Sequence, residues 1–301
     1  MMEAINLSKS FGKVRALTNV SLTAREHEIF GLVGTNGAGK STFLRIAAGI
    51  LKPDEGCVLY DSCPVWNNPK VKERFFYIPN DFYFFPGAGA REMGKYFSGV
   101  YRRFDETKYL NSLRDFSLNP DTPVQEFSKG MRRLVSVLLG ICAGTDYLLL
   151  DETFDGLDPV NRQAVKSLFA TEMEDRGLTP VLTSHNLREL EDLCDHIGLL
   201  HEGGVLLSKD LDDLKQNAFR VQCVFSSGED EDRVKGHFRI VEDVVSGRLH
   251  SMVIAATREQ IESYFRGIDT IYAEILPLSL EEIFIAQTKS AGYDVRKMIA
   301  G

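Results

Sequence analysis

The sequence predicts an α/β fold built on a parallel sheet, with a helical insertion and a small α+β domain at its C-terminal end, and three observations carry this. The apolar run Glu28-Ile29-Phe30-Gly31-Leu32-Val33 leads directly into a glycine-rich turn and then into apolar residues at helical spacing, the order strand, loop, helix. Two further apolar runs, Tyr147–Leu150 and Thr179–Ser184, are separated by a helical stretch of about fifteen residues, the crossover length that parallel pairing requires. After Ser208 the texture changes to polar and acidic segments between short strand-like runs, which marks a second domain.

Along the chain, residues 4–30 read as short strands with turn punctuation at Ser10-Phe11-Gly12. From Lys40 to Leu51 the residues Phe43, Leu44, Ile46, Ala47 and Ile50 recur at helical spacing, and Lys52-Pro53-Asp54-Glu55-Gly56 is expected to stop that helix. Residues 81–130 cluster aromatics first and then give helical segments at 90–101 and 106–116, so a helical insertion is expected at about 81–135. Residues 197–207 read as two short strands turning at Glu202-Gly203-Gly204. Beyond them, Leu211–Gln216 is a polar helical link and Ser226–Asp232 an acidic turn or loop. Strands are expected at 220–225 and 251–255, a helix at 258–265, and a last helix opened by Ser279 and Glu282 in capping-box spacing. The domain division follows as residues 1–208 and an accessory domain at 209–301.

Composition narrows the function classes. A formal net charge of −8 leaves no sign of the basic face that nucleic-acid phosphates demand. The five cysteines are odd in number and contain no C-x-x-C pair, against both a disulfide framework and a zinc site. No apolar run approaches the roughly 20 residues of a membrane-spanning helix, and Met1-Met2-Glu3-Ala4 lacks the layout of a secretory signal. If the chain works at a membrane, a partner must supply the spans.

The chemistry begins at Gly34-Thr35-Asn36-Gly37-Ala38-Gly39-Lys40-Ser41, which fits G-x-x-x-x-G-K-[ST]. Its glycines let backbone N–H groups curl around phosphate oxygens, Lys40 brings a mobile positive charge to the β- and γ-phosphates, and Ser41 offers a hydroxyl to Mg²⁺. The second strand ends in Asp151-Glu152, which puts carboxylates at the carboxyl end of a parallel strand, where open α/β sheets hold ligands. Asp151 is expected in the metal shell, and Glu152 is expected to polarise a water for in-line attack on the γ-phosphate.

These residues resemble the ATP-binding subunits of ABC transporters. The Walker A segment Gly34–Thr42, a divergent LSGGQ-like signature Phe127-Ser128-Lys129-Gly130-Met131, the Walker B segment Leu148–Glu152, the D-loop-like Asp155-Gly156-Leu157-Asp158 and the switch histidine His185 stand in the family's order, covering residues 3–208. The resemblance implies a P-loop NTPase core of the ABC ATPase kind, with an antiparallel β subdomain. It implies ATP and Mg²⁺ as cofactors, with catalysis by Glu152 and His185. Nucleotide contacts would come from Phe11, Gly34, Asn36, Gly37, Ala38, Gly39, Lys40, Ser41, Thr42, Ser128, Gly130 and Asp158, and metal contacts from Ser41, Asn80 and Asp151. It further implies a head-to-tail dimer, a homodimer or a pair with a related ATPase. That dimer would drive a separately encoded transmembrane permease from the cytoplasmic, inner face of the cell membrane. The tail Leu278-Ser279-Leu280-Glu281-Glu282-Ile283-Phe284 resembles extensions on bacterial exporters, which favours export.

Three departures from the family pattern bear on the site. Asn80 replaces the Q-loop glutamine, Lys129 and Met131 replace the second glycine and the glutamine of the signature, and Thr153 replaces the proline that commonly follows the Walker B glutamate. Asn80 is one methylene short, so its metal contact is expected to need a water. The cluster Phe82-Tyr83-Phe84-Phe85-Pro86 is expected to dock the membrane partner or to pack within the insertion. The alternative function is a soluble ABC-type ATPase acting on ribosomes or nucleic acid. A single cassette without a long coiled-coil insertion speaks against it.

Overall fold

The computed structural model describes residues 1–154 and 156–290; Asp155 of the D-loop-like segment lies outside the described residues. Two long strands open the fold, β1 (Met2–Phe11) and β2 (Val14–Ala24), and their alternation turns Met2, Ala4, Leu7, Leu17, Val20 and Leu22 inward. Next come β3 (Phe30–Val33), α1 (Lys40–Ala47), β4 (Glu55–Tyr60), β5 (Cys63–Pro64), α2 (Pro69–Lys72) and β6 (Phe75–Ile78). Three helices follow, α3 (Ala90–Val100), α4 (Glu106–Asp115) and α5 (Lys129–Cys142). Then come β7 (Tyr147–Asp151), α6 (Pro159–Arg176), β8 (Thr179–Ser184), α7 (Leu187–Leu193), β9 (His196–His201) and β10 (Gly204–Asp210).

Strands β2-β1-β4-β5 form an antiparallel sheet, and β10-β9-β3-β8-β7-β6 form a second, in which β9, β3, β8, β7 and β6 pair in parallel. Every residue of β3, β7 and β8 is buried, as expected of parallel strands covered on both faces. Helix α1 shares one core with both sheets: Phe43, Leu44, Ile46 and Ala47 pack with Leu17 and Val20 of β2 and with Leu149 and Val181 of the parallel strands. That core sets the direction of α1 and so the path of the loop before it. The helix ends earlier than its apolar spacing suggests, because Gly49, at φ +58°, turns the chain out of the helix while its N–H still bonds the Ile46 carbonyl. Strand β6 was not expected; its four residues Phe75-Phe76-Tyr77-Ile78 extend the parallel sheet beside β7.

The chain divides into two compact units, one ending at Ser208 and the next beginning at Lys209. The second contains α8 (Leu211–Gln216), β11 (Phe219–Phe225), α9 (Gly228–His237), β12 (Ile240–Ser246), β13 (Leu249–Ile254), α10 (Arg258–Phe265), β14 (Thr270–Pro277) and α11 (Leu280–Ser290). Its strands are antiparallel in the order β12-β13-β11-β14, the split βαβ arrangement of ferredoxin-like domains. Val221, Cys223, Met252 and Ile254 pack with Val234 of α9 and Ile261 of α10 in its core. The acidic run expected as a turn or loop is instead the start of α9. Ser227 caps it by accepting from the Asp230 N–H at 3.3 Å, and Glu229, Asp230 and Glu231 occupy the first turn, where the helix dipole favours negative charge. Ser279 and Glu282 form the expected capping box, with Glu282 Oε2 accepting from the Ser279 N–H at 2.8 Å and Ser279 Oγ accepting from the Glu282 N–H at 3.3 Å.

Candidate nucleotide site

The sheet order does most of the assembly. Strands β3, β8, β7 and β6 are consecutive neighbours running in parallel, so the residues that follow their carboxyl ends come together along one edge: the loop at Gly34, His185, Asp151-Glu152 and Asn80. The sequence shows each residue but not this adjacency.

Residues Gly34–Gly39 wrap the turn between β3 and α1. A Cβ at Gly34 would stand 2.3 Å from the Leu200 carbonyl oxygen, and one at Gly39, where φ is +105°, would stand 2.4 Å from the Ala16 carbonyl oxygen. The loop therefore closes only with glycine at both places. Ala38 is buried and Asn36 and Gly37 face solvent. Lys40, Ser41 and Thr42 form the first turn of α1, whose amino end, continuous with the loop, is suited to anions. Lys40 is 4% exposed; its ammonium donates to the Gly34 carbonyl at 2.7 Å and the Thr35 carbonyl at 3.1 Å, and lies 3.4 Å from Glu152 Oε1.

Asp151 is buried to 1% exposure, and its partners are hydroxyls: Ser41 Oγ and Thr183 Oγ1 donate to Oδ1 at 3.0 and 2.8 Å, and Tyr77 Oη donates to Oδ2 at 3.4 Å. Burial, with a further push from the Asp151 charge, raises the Tyr77 phenol to about 12, which keeps it a donor at neutral pH. No basic side chain pairs with Asp151 among the described residues. A buried carboxylate beside a serine hydroxyl, both hard oxygen donors without a cation, is a donor set that fits Mg²⁺.

Glu152 leaves the strand in the left-handed region, at φ +49°, a conformation costing about 1–2 kcal/mol for a residue with a Cβ. Its N–H is held by the Thr183 carbonyl and the Thr183 hydroxyl, both at 3.1 Å. Its carboxylate meets three partners at once: Lys40 at 3.4 Å, Asn80 Nδ2 at 3.4 Å and His185 Nδ1 at 3.8 Å. The backbone strain is therefore spent on aiming the one carboxylate that faces all of them.

The remaining expected residues lie on other elements. Ser128 caps α5, accepting from the Met131 N–H at 3.2 Å, and hydrogen-bonds to none of the groups above. Gly130 is pressed against the D-loop-like segment: a Cβ there would stand 2.9 Å from the Gly156 carbonyl oxygen. Asp158 caps α6, and its bond from the Asn161 N–H holds its carboxyl below the ordinary range. Phe11 ends β1 half-exposed, with the Lys9 ammonium 5.8 Å from its ring centre.

The aromatic cluster divides. Phe82 and Phe84 pack against each other, and Phe82 stacks on Phe76 and meets Phe97 at a tilt, while Tyr83 and Phe85 are exposed and continue outward to Tyr96. Three site residues escaped the sequence reading: Tyr77, Thr183 and Arg133. Thr183 is found only through register, opposite Asp151 in the parallel pair. Arg133 donates from one guanidinium nitrogen to Asn80 Oδ1 at 3.1 Å. In the second unit, Glu231, Asp243 and His250 converge as metal ligands would. There Lys235 bridges both carboxylates at 2.7 and 2.8 Å and supplies the positive charge itself.

A glycine-built phosphate loop, a hydroxyl–carboxylate pair suited to a divalent cation and an aimed second carboxylate define a P-loop nucleotide hydrolase. The comparisons with known proteins narrow the class. A family model described as "ABC transporter" matches residues 17–155. The ATP-binding protein YtrB of Bacillus subtilis (strain 168) is 32% identical over 95% of this chain and 98% of its own length. The lantibiotic transport ATP-binding protein SrtF of Streptococcus pyogenes is 29% identical over 70% of this chain and 92% of its own. Among solved structures, an ATP-binding subunit of an ABC transporter superposes with a TM-score of 0.65 at 27% identity, over 71% of this chain and 92% of that one. The dimeric cassette MJ0796 gives 0.63 at 23% identity, over 70% and 99%. The chain belongs to the ATP-binding subunits of ABC transporters, and it is an ATPase.

Proposed function

We propose that two cassettes, two copies of this chain or one copy and a related ATPase, close head to tail around ATP and drive a separately encoded permease, for export. The observation that supports this best is the division of the site. The phosphate loop, Asp151, Glu152, Asn80 and His185 gather at one sheet edge, whereas Ser128, at the amino end of its helix, touches none of them. In this reading Ser128 and Gly130 of one cassette meet the γ-phosphate held by the other, and Asp158 stands at the same boundary.

Lys40 exchanges its loop carbonyls for the β- and γ-phosphates, the loop N–H groups from Gly34 to Thr42 grip the phosphate oxygens, and Phe11 offers its free face to adenine. Ser41 and Asp151 would hold Mg²⁺, with Asn80 reaching it through a water. When bound, the ion would supply positive charge against the phosphates. Glu152 takes a proton from water as its oxygen bonds to the γ-phosphorus and the bridging β–γ oxygen leaves with ADP; His185 holds that water in line. The SrtF name supports transport as the task, and the exposed face of Tyr83, Phe85 and Tyr96 supports docking of the permease beside Asn80. No described helix is long and apolar enough to cross a membrane.

The test is photo-crosslinking in cells that also express the neighbouring gene, if its product carries about six apolar spans. A photoreactive residue at Tyr83 or Phe85 is expected to capture that product, and one at the exposed Val160 of α6 is not. Capture from Val160 alone overturns the docking assignment.

A further inference from the structure

We infer that Arg133 is a positioning residue for ATP hydrolysis, acting on the base Glu152 through Asn80. This rests on the reading of Glu152 as the base. Arg133 lies in α5, five positions after the Ser128 cap, and is 8% exposed. Its one side-chain hydrogen bond among the described residues goes to Asn80 Oδ1 at 3.1 Å; no carboxylate pairs with it, and its second terminal nitrogen is buried without a partner. A buried cation so poorly satisfied is a net cost to folding. A residue that serves only stability would not be built this way.

The hydrogen-bond chemistry gives the arrangement its direction. A guanidinium only donates and a carboxylate only accepts. Arg133 therefore claims the oxygen of the Asn80 amide and leaves the NH₂ group for Glu152, whose Oε2 lies 3.4 Å from Nδ2. The amide cannot flip without facing N–H against N–H on one side and oxygen against carboxylate on the other. Asn80 is thereby locked as a donor to the base, and its oxygen keeps a second lone pair that can accept from a water. The long side chain of Arg133 reaches Asn80 from the signature helix. The start of that helix, at Ser128, is the part proposed to meet the second cassette's nucleotide, so a displacement of α5 reaches Glu152 through two hydrogen bonds.

The experiment is a double-mutant cycle on the full chain, reading kcat and KM for Mg²⁺-ATP turnover and the melting temperature of Arg133→Met, Asn80→Leu and the double variant. Each single variant is expected to lose about tenfold or more in kcat, with KM for ATP changed by no more than about twofold. The double variant is expected to be no slower than the worse single one, since both break one relay. Melting of Arg133→Met is expected to match or exceed wild type, because an unpaired buried cation has gone. Asn80 is solvent-exposed, so Asn80→Asp tests the relay without straining the fold. A carboxylate at that position still accepts from Arg133 but cannot donate to Glu152, so Asn80→Asp is expected to lose about tenfold in kcat, as Asn80→Leu does. Losses that simply add, wild-type turnover by Asn80→Asp, or full turnover by Arg133→Met overturn the inference. Unimpaired hydrolysis by Glu152→Gln would instead strike the base assignment on which it rests.

Discussion

Replacing Gly130 by alanine sets two effects of known size against each other. Within a helix, alanine is favoured over glycine by about 0.8–1 kcal/mol, less near the amino end where Gly130 sits. The added methyl would stand 2.9 Å from the Gly156 carbonyl oxygen, and overpacking of this kind costs about 1–3 kcal/mol when neighbours cannot move. Here they can: Gly156 is exposed, with open space where its own Cβ would be, so the D-loop-like segment is expected to yield. The two terms then nearly cancel in stability, within about 1 kcal/mol, or about 2–4 °C in melting temperature for a domain of this size. Activity does not share the cancellation. Gly156, Leu157 and Asp158 move with the displaced carbonyl, and a shift of about 1 Å in groups that position substrate can cost about a hundredfold in rate. Calorimetry beside a steady-state ATPase assay should therefore find Gly130→Ala nearly as stable as wild type and at least tenfold slower in kcat. A variant that gains stability and turns over at the wild-type rate would show that the close approach has no functional weight.

Two further outcomes follow from charge. Asp151→Asn keeps the shape and the hydroxyl partners of a buried carboxylate that no described basic side chain pairs with, so its melting temperature should hold or rise, while Mg²⁺ dependence shifts to much higher concentration and turnover falls about a hundredfold or more; a normal Mg²⁺ titration would contradict the metal assignment. Asp146 stands between Arg103 at 2.6 Å and Arg74 at 2.8 Å. Burial pushes its carboxyl up, but the hydrogen bonds and charges of Arg103 and Arg74 outweigh that and hold it below its ordinary value. A depressed carboxyl contributes stability that is complete above its unfolded pKa and lost as pH falls through the folded one. Asp146→Asn should thus destabilise by up to about 1 kcal/mol at neutral pH, the pair being partly screened by solvent, and the gap to wild type should narrow in melts below about pH 4. A gap that widens on acidification would refute the sign.

What the sequence made legible was whatever lies contiguous in it. The loop from Gly34 to Thr42 carries its chemistry and its flanking strand and helix in one stretch, and Asp151-Glu152 marks a strand end by itself. Strand β6 was hidden because four apolar residues before Pro79 give no periodicity to weigh. Helix α9 was missed because its acidic first turn reads as a solvated run, although Ser227 three residues before Asp230 was an available capping signal. Strands β12 and β14 have mostly polar or exposed side chains and no buried one, which blunts the alternation. Tyr77 and Thr183 join the site only through the sheet order. Arg133 offered one faint signal, a cation in line with Val137 and Ile141 four and eight positions on, along an otherwise apolar helix face.

The central claim is that Glu152 takes the proton in a site that a second cassette completes, and Glu152→Gln tests it most directly. Light scattering and ATP retention should show this variant holding ATP as a stable dimer without turnover, with the dimer lost again when Ser128→Arg is added to crowd the signature helix. Full hydrolysis by Glu152→Gln, or tight ATP binding by a form that stays monomeric at every nucleotide concentration, would contradict it.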